Sequence, residues 1–524
     1  MSYKAGWAKF KMTPFPTNVV MMGWANEKNV AKDHATDLYV RALWIESATQ
    51  KQIHLYYELG HITNKLFDTI VEKAKLLGLD ISKENLFMSA NHTHSAPGGL
   101  NEHLYYEIPT QGFRADIFEL VVDASLKALQ AAQEDLATAE ITYINREIPH
   151  SWEVAFNRQL PAYAQNKEID DDYQDLDPIT TIDRSMPQLN IKKEGKNAVI
   201  NWFGVHGTCI SNRHTSYHFD NKGYACQYME EYLGADSIAL FAQSSAGDVT
   251  PNNVFDLEMK TTRGSFELED KNAQKIGQLQ FEFSKKLWEQ KGAPMGGDFQ
   301  FNMERVHFPS LSNENFSLGP ACFGVAMLEG TKEGPGIHKS LGLLLRAITR
   351  VINFIFYLFG SSEKKTQLKQ LRKTHSQKDI IVNGSAKQLF GVTVEKNIHK
   401  IVTSIDPLMD KFNTLIKQEP YKSHESWFQE HGHVNVMLWD SMALIAVPFE
   451  VTSMSSKRIK TYITRKYPNI KEVIINGYSY AYLGYLTTPE EFDHQAYEGG
   501  HTVFGKWSLP LLMEQIDSQL AEIK

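Results

Sequence analysis

The sequence predicts an α/β protein. Two patterns carry that prediction. Runs of strand length, rich in apolar and β-branched residues, alternate with segments of helical period, and polar loops holding reactive side chains follow the strands directly. In open α/β sheets, ligands gather at the carboxyl ends of strands, so those loops are where chemistry is sought. The 524 residues are 42% hydrophobic and 22% charged, which supplies ample core for such a fold.

The elements follow in chain order. "DLYVRALWIE" and "QIHLYYELG", within residues 37–59, read as strands. "NKLFDTIVEKAKLLG" has helical spacing, with Leu66, Ile70, Val71 and Ala74 on one face. "ENLFMSA" is a short strand that runs into "SANHTHSAPGG". A second helix follows at "ADIFELVVDASLKALQAAQ". "AEITYINRE", "NAVINWFGVHG", "SIALFAQS", "SMALIAVPFE" and "KEVIINGY" are further strands, and the chain ends in a helix carrying Leu511, Leu512, Ile516 and Leu520. No short internal repeat and no low-complexity tract appears.

Bulk properties exclude some functions. A net charge of −8 gives no basic field for nucleic acid. Cys209, Cys226 and Cys322 are too few and too scattered for a disulfide framework or a Cys-based zinc site, and they read as reduced and packed. The N-terminal stretch has neither an apolar h-region nor a small-residue cleavage site. The expected location is therefore cytoplasmic or at a membrane periphery, or secreted if a leader has been removed. "KEIDDDYQDLD", residues 167–177, carries six carboxylates, but its spacing fits no EF-hand, and a solvated acidic loop is expected.

Residues 341–359 are strongly apolar and near spanning length. Arg346, Arg350, Asn353 and Tyr357 interrupt them at i, i+4, i+7 and i+11, a single helical stripe. That pattern predicts an amphipathic helix with a wide apolar face rather than a spanning segment. Lys364, Lys365, Lys369, Arg372, Lys373 and Lys378 follow directly. An apolar helix followed by cations suits the surface of an anionic bilayer. A buried helix with a solvated basic linker is the alternative.

Three constellations carry chemistry. His92 and His94 lie two apart, so in an extended segment they would point to the same side. His206 and Glu450 close apolar strands, where an unpaired polar group would be costly. Two His and one Glu with an open position is a common catalytic zinc set, although loop histidines that merely satisfy hydrogen bonds give the same spacing. In "FAQSSAGDVTPNN", Ser244, Ser245 and Thr250 place hydroxyls at a strand end, for nucleophilic chemistry, for holding a carbonyl, or for turn formation. Residues 476–505 gather Tyr478, Tyr480, Tyr482, Tyr485 and Tyr497 with Glu490, Glu491 and Glu498 in a Gly-rich segment, which suggests the wall of a site.

These motifs together resemble the neutral/alkaline (non-lysosomal) ceramidase family. "AGWAKFKMTPFP", "MMGWA", "HTHSAPGG", "FNRQLPAY", "NWFGVHGT", "DNKGYA", "SSAGDVTPN", "GPACFGVAMLEGTKEGPG", "VPFEVTS" and "GYLTTPEEFDHQAYEGGHTVFG" correspond in order over nearly the whole chain. The resemblance implies a mixed-sheet zinc hydrolase catalytic domain over residues 1–524, with an amphipathic helix and basic segment inserted at 337–378. It implies one zinc ion per chain, held by His92, His206, Glu450 and Tyr485. His94, Arg158 and Tyr497 match the residues around the scissile amide. The implied reaction is hydrolysis of the N-acyl amide of ceramide to sphingosine and a fatty acid. A zinc amidase acting on another N-acyl lipid or a soluble amide, or a non-catalytic lipid-binding relative, is the alternative.

Two departures from the family pattern matter. The motif's serine is Thr250 here, which keeps the hydroxyl but restricts its rotamers. Thr250 is expected to hydrogen-bond substrate rather than attack it. Many family members continue into an immunoglobulin-like domain; none is expected from "FGKWSLPLLMEQIDSQLAEIK", whose helix is expected to cap the catalytic domain.

Overall fold

The computed structural model describes residues 3–394, 412 and 414–523. Among them, the larger sheet joins β1 (Tyr3–Lys11), β2 (Tyr39–Glu46), β3 (Lys51–Tyr57), β4 (Leu86–Ala90), β5 (Ala137–Ile144), β6 (Gln188–Lys193), β7 (Lys196–Phe203) and β8 (Ile238–Gln243). Its order is β8-β7-β6-β5-β1-β2-β3-β4, with the short Ala293–Pro294 strand added on β5. A smaller sheet runs β9 (Gln300–His307), β10 (His431–Trp439), β11 (Met442–Ala446), β12 (Glu472–Asn476). Both sheets are mixed. β3/β4, β7/β8 and β11/β12 are parallel pairs, and the other ladders within these two sheets are antiparallel.

The strands expected from sequence are present, and burial explains why they form. β4, β8 and β11 are buried along their whole length, as parallel strands covered on both faces must be. β2 and β3 read instead as a long antiparallel hairpin. The helices α1 (Asn64–Leu76) and α2 (Ala115–Glu134) bury the faces their spacing predicts, with Thr63 capping the first through its hydroxyl. α3 (Asp220–Leu233) and α4 (Glu269–Glu289) pack as a pair beside β8. The final helix (Ser508–Glu522) buries Leu511, Leu512, Ile516 and Leu520, as expected. The three cysteines are buried and unbridged.

Two stitches position the functional loops. The Gln243 side chain, at the end of β8, donates to the carbonyls of Asn91 (2.8 Å) and Val205 (2.6 Å), tying the loops that leave β4 and β7. The Trp202 indole donates to Asn476 Oδ1 at 3.2 Å, tying β7 to the end of β12. The carboxyl ends of parallel strands from both sheets therefore open onto one place.

α5 (Lys339–Phe359) is the apolar helix, and among the described residues it alone is long and apolar enough to cross a membrane. Its arrangement sharpens the amphipathic expectation. Gly342, Leu345, Arg346, Thr349 and Asn353 form the face turned to the body. Arg346 pairs with Glu329 (2.8 Å), and Arg350 makes two bonds to Asp379 (2.9 Å each). The apolar face points outward, up to Phe359 at 82% exposed. Tyr357 is exposed too, beneath the Arg372 guanidinium, so it does not continue the protein-facing stripe. α6 (Ser362–His375) follows, with Lys365, Lys369, Arg372 and Lys373 exposed. Lys378 leaves this basic set: it is buried, donating to the carbonyls of Thr502 (2.7 Å) and Cys322 (3.3 Å). The 167–177 loop is solvated as expected, with Glu168 paired to Arg458 at 2.8 Å.

Candidate metal centre

His92 and His94 lie just past β4, but not in an extended segment. His92 has φ +63°, a left-handed conformation costly for a side chain with a Cβ. The turn brings the two rings edge to face at 4.7 Å, with their Nε2 atoms 3.1 Å apart. It also presses the His92 carbonyl against Gly207, where an added Cβ would lie 2.4 Å from that oxygen. This explains the glycine in "GVHG". β7 ends at Phe203, so His206 sits in the following loop, where its N–H donates to Val249 O. Glu450 lies beyond the end of β11 in a two-residue parallel ladder, where its register partner is Tyr485.

The four side chains His92, His94, His206 and Glu450 converge in a buried cluster. The ligand atoms of His92, His94 and His206 all lie within 4.8 Å of one another. Glu450 Oε1 is 3.4 Å from His92 Nε2, and Oε2 is 3.0 Å from His206 Nε2. The tautomers follow from the second nitrogen of each ring. His92 Nδ1 faces the carbonyl of Gly60 at 2.5 Å, and His206 Nδ1 faces that of Val249 at 3.0 Å. A carbonyl only accepts, so both Nδ1 atoms carry the proton and both Nε2 atoms present lone pairs. Those lone pairs face a carboxylate, and His206 Nε2 has no hydrogen-bond donor. Lone pairs facing lone pairs at these distances repel unless a proton or a metal cation lies among them, and outward Nδ1–H···O=C bonds are how metal-ligating histidines are oriented. The residues present fit a divalent metal.

Burial would raise the Glu450 carboxyl, but His92 and His206, where they bring a proton to it, outweigh burial and hold it well below the usual carboxylate range, so Glu450 is a carboxylate that needs a positive partner beside it. Burial, with Arg158, depresses His206; burial, with His92 and His206, depresses His94 well below its ordinary value. An ionised Glu450 beside His94 and His206, whose imidazoles part readily with a proton, suits a metal.

The tyrosine-rich segment forms one wall. Tyr478 donates to Glu450 Oε2 at 3.0 Å, and Tyr482 donates to Oε1. Tyr485 instead accepts from Arg158 Nη2 at 3.0 Å. Arg158 is the hub of the opposite wall: its side chain is 7% exposed and reaches Glu498 (3.0 Å), Glu333 (3.3 Å) and the Gly247 carbonyl (2.8 Å). Its guanidinium lies 5.9 Å from the Tyr497 ring, which packs edge-on against Tyr485. Burial, with Glu450, raises both Tyr485 and Tyr497, so both phenols keep their protons.

Thr250 stands apart from this network. Its hydroxyl accepts from the Asn252 N–H at 2.9 Å, and among the described residues no hydrogen bond joins it to the four converging side chains. Ser245 is buried with its hydroxyl unpartnered. Sequence reasoning missed two contributors. Glu333, in "TKEGPG", accepts from Thr208 (2.7 Å) and Asn252 (2.9 Å) as well as Arg158. Trp24, in "MMGWA", packs edge-on against His94 at 4.9 Å. A lone acid between glycine turns was the available signal for Glu333.

Comparisons with known proteins bear on this arrangement. The chain is 27% identical over 469 residues to a neutral ceramidase of Mycobacterium tuberculosis, covering 86% of this chain and 65% of that protein. It is 26% identical over 525 residues to a neutral ceramidase of Pseudomonas aeruginosa, covering 97% of this chain and 70% of that one. The chain thus spans about two thirds of the length of these relatives. The crystal structure of the Pseudomonas aeruginosa neutral ceramidase shares its fold, with a TM-score of 0.76 and 24% identity over 98% of this chain and 73% of that one. A ceramidase complexed with C2 does so with a TM-score of 0.78 and 24% identity over all of this chain and 76% of that one. The sequence model of the neutral/alkaline non-lysosomal ceramidase N-terminal region matches residues 3–405 and 410–514, nearly end to end, and the chain belongs to that family.

Proposed function

We propose that this chain is a zinc-dependent amidohydrolase that cleaves the N-acyl amide of ceramide to sphingosine and a free fatty acid. The observation that carries the reading is the convergence of His92 Nε2 and His206 Nε2 on the Glu450 carboxylate inside a buried cluster. His92, His206 and Glu450, with the adjacent phenol of Tyr485, would hold the zinc. An all-N/O set with few ligands suits zinc. When bound, zinc supplies Lewis acidity at the amide carbonyl and lowers the pKa of a water.

The chain's own groups have distinct tasks. Arg158, held by Glu498 and Gly247, offers a fixed cation to the charge that develops on the carbonyl oxygen. Tyr497 keeps its proton and can donate to the same oxygen. His94, neutral and with Nδ1 unpartnered, can take a proton and pass it to the leaving amine. Thr250, bonded to Asn252, supports the loop beside the substrate and is not the nucleophile.

Ceramide resides in bilayers, and the outward apolar face of α5 beside the cations of α6 supports peripheral contact with a lipid surface. The test is product analysis by mass spectrometry with long-chain ceramide, short-chain ceramide and a soluble N-acyl amino acid. Release of sphingosine from the first two supports the reading. Cleavage of the soluble amide alone would replace ceramide with another substrate class.

A further inference from the structure

The converging side chains are closed off from solvent. His92, His206, Glu450 and Tyr485 are each buried, and so is His94. A lipid with two long chains cannot reach them unless something moves.

One surface segment reaches in toward them. Residues 330–336, "GTKEGPG", form a small surface hairpin closed by a bridge between Gly330 and Pro335 and by Thr331 N–H donating to Gly334 O. Of residues 331–340 only Glu333 is buried, with its side chain 2% exposed. It is not paired within its own hairpin. Its carboxylate takes one donor from each of Arg158, Thr208 and Asn252, all outside the hairpin. Gly334 lies against the Trp24 ring, where an added Cβ would come within 2.9 Å, and Trp24 in turn covers His94. An acceptor on a largely exposed hairpin thus occupies part of Arg158, the cation that the proposed reaction offers to the substrate carbonyl.

The same hairpin leads straight into α5 and is tied to it. Glu329, at its base, pairs with Arg346 on the first turns of the helix at 2.8 Å and abuts Gly342 so closely that no Cβ would fit there. Glu329 O accepts from Gly336 N–H, closing the hairpin from the same residue. A shift of α5 is therefore passed to the hairpin that carries Glu333.

We propose that residues 330–336 are a lid, with Glu333 as its plug, and that docking of the apolar face of α5 on an anionic lipid surface withdraws it. The proposal rests on the membrane-facing reading of α5. Its occupant is a bilayer because the outward face is continuous and apolar from Leu341 to Phe359 and is followed by four exposed cations on α6. Opening breaks polar contacts and no covalent bond. The lid is open only where substrate is concentrated, and the centre stays covered in solution.

Hydrogen exchange of the full chain tests this without turnover, so its failure is separable from failure of the proposed reaction. Exchange is followed alone, with phosphatidylcholine vesicles, and with phosphatidylcholine–phosphatidylserine vesicles. The Thr262 N–H donates to Lys332 O at 2.8 Å, a backbone bond between the hairpin and the body that withdrawal must break. The expected result is protection of α5 by the anionic vesicles and, with it, at least about tenfold faster exchange at the Thr262 amide. Glu329→Gln should keep the protection of α5 and lose the acceleration at Thr262. Protection of α5 with no change at Thr262 would overturn the lid. Absence of protection by either vesicle would overturn the trigger. An accelerated Thr262 amide in Glu329→Gln would overturn the link between them.

Discussion

The Nδ1 atom of His92 sits 2.5 Å from the carbonyl oxygen of Gly60. That single contact fixes which nitrogen carries the proton and turns the other, as a lone pair, toward Glu450. His206 repeats the arrangement on Val249. Losing either ring removes an inward lone pair and leaves Glu450 as a buried charge with one fewer partner. His92→Ala and His206→Ala are expected to weaken metal retention by about 100-fold or more. Elemental analysis after dialysis checks this, and a full metal complement in either variant contradicts it.

Arg158 serves four partners from one planar head: Glu498, Glu333, Gly247 O and Tyr485. A lysine keeps the charge but cannot fork. Arg158→Lys should lower kcat/KM by about 10²–10³-fold while leaving bound metal unchanged. Near-normal kcat/KM would show that only the charge matters.

Thr250 is engaged by the Asn252 N–H, and Asn252 in turn holds Thr208 O and Glu333. Thr250→Ser keeps the acceptor and should behave as the parent. Thr250→Ala should lose about 1 kcal/mol of stability with most of its kcat retained. An acyl adduct on Thr250, seen by mass spectrometry of the quenched reaction, would instead make it the nucleophile.

Stability should depend on pH through buried imidazoles. Burial pushes His54 down to about 3, and burial followed by Lys378 pushes His375 down to about 3. In the unfolded chain a histidine titrates near roughly 6.5. Between these values the unfolded chain binds protons that the folded one does not, so stability is full above about pH 6.5 and falls as the pH drops. Each such group removes about 1.4 kcal/mol per pH unit in that window. The Tm of chelated protein should therefore fall by several degrees from about pH 7.5 to about pH 5. Glu102, Glu107 and Glu491, raised by burial to about 7, work in the opposite direction, so the check is that His54→Gln and His375→Gln flatten the fall; a fall as steep as the parent's in both would show that these imidazoles are not held neutral.

Much of this was legible in the sequence because strands and amphipathic helices leave periodic signals. β4, β7, β8 and β11 fall where their apolar runs are, and the residues that meet at the centre follow their carboxyl ends. Conformations that depend on contacts across the chain left no such signal. The turn at His92 is set by the close approach of Gly207, not by local alternation. Lys378 reads as part of a basic run, yet its ammonium is satisfied by two distant carbonyls. The apolar stripe of α5 was visible, but its outward direction follows from where Asp379 and Glu329 lie. Glu333 left only the faint signal of an acid between glycine turns, because its partners are brought to it by the fold.

The most direct test of the central claim is hydrolysis of a fluorescent long-chain ceramide in detergent micelles, with bound metal measured on the same sample. The protein should hold about one zinc per chain, release fatty acid, lose that activity with a chelator and regain it with zinc. A zinc-filled protein that leaves ceramide intact, or turnover that persists after the metal is gone, would contradict the account.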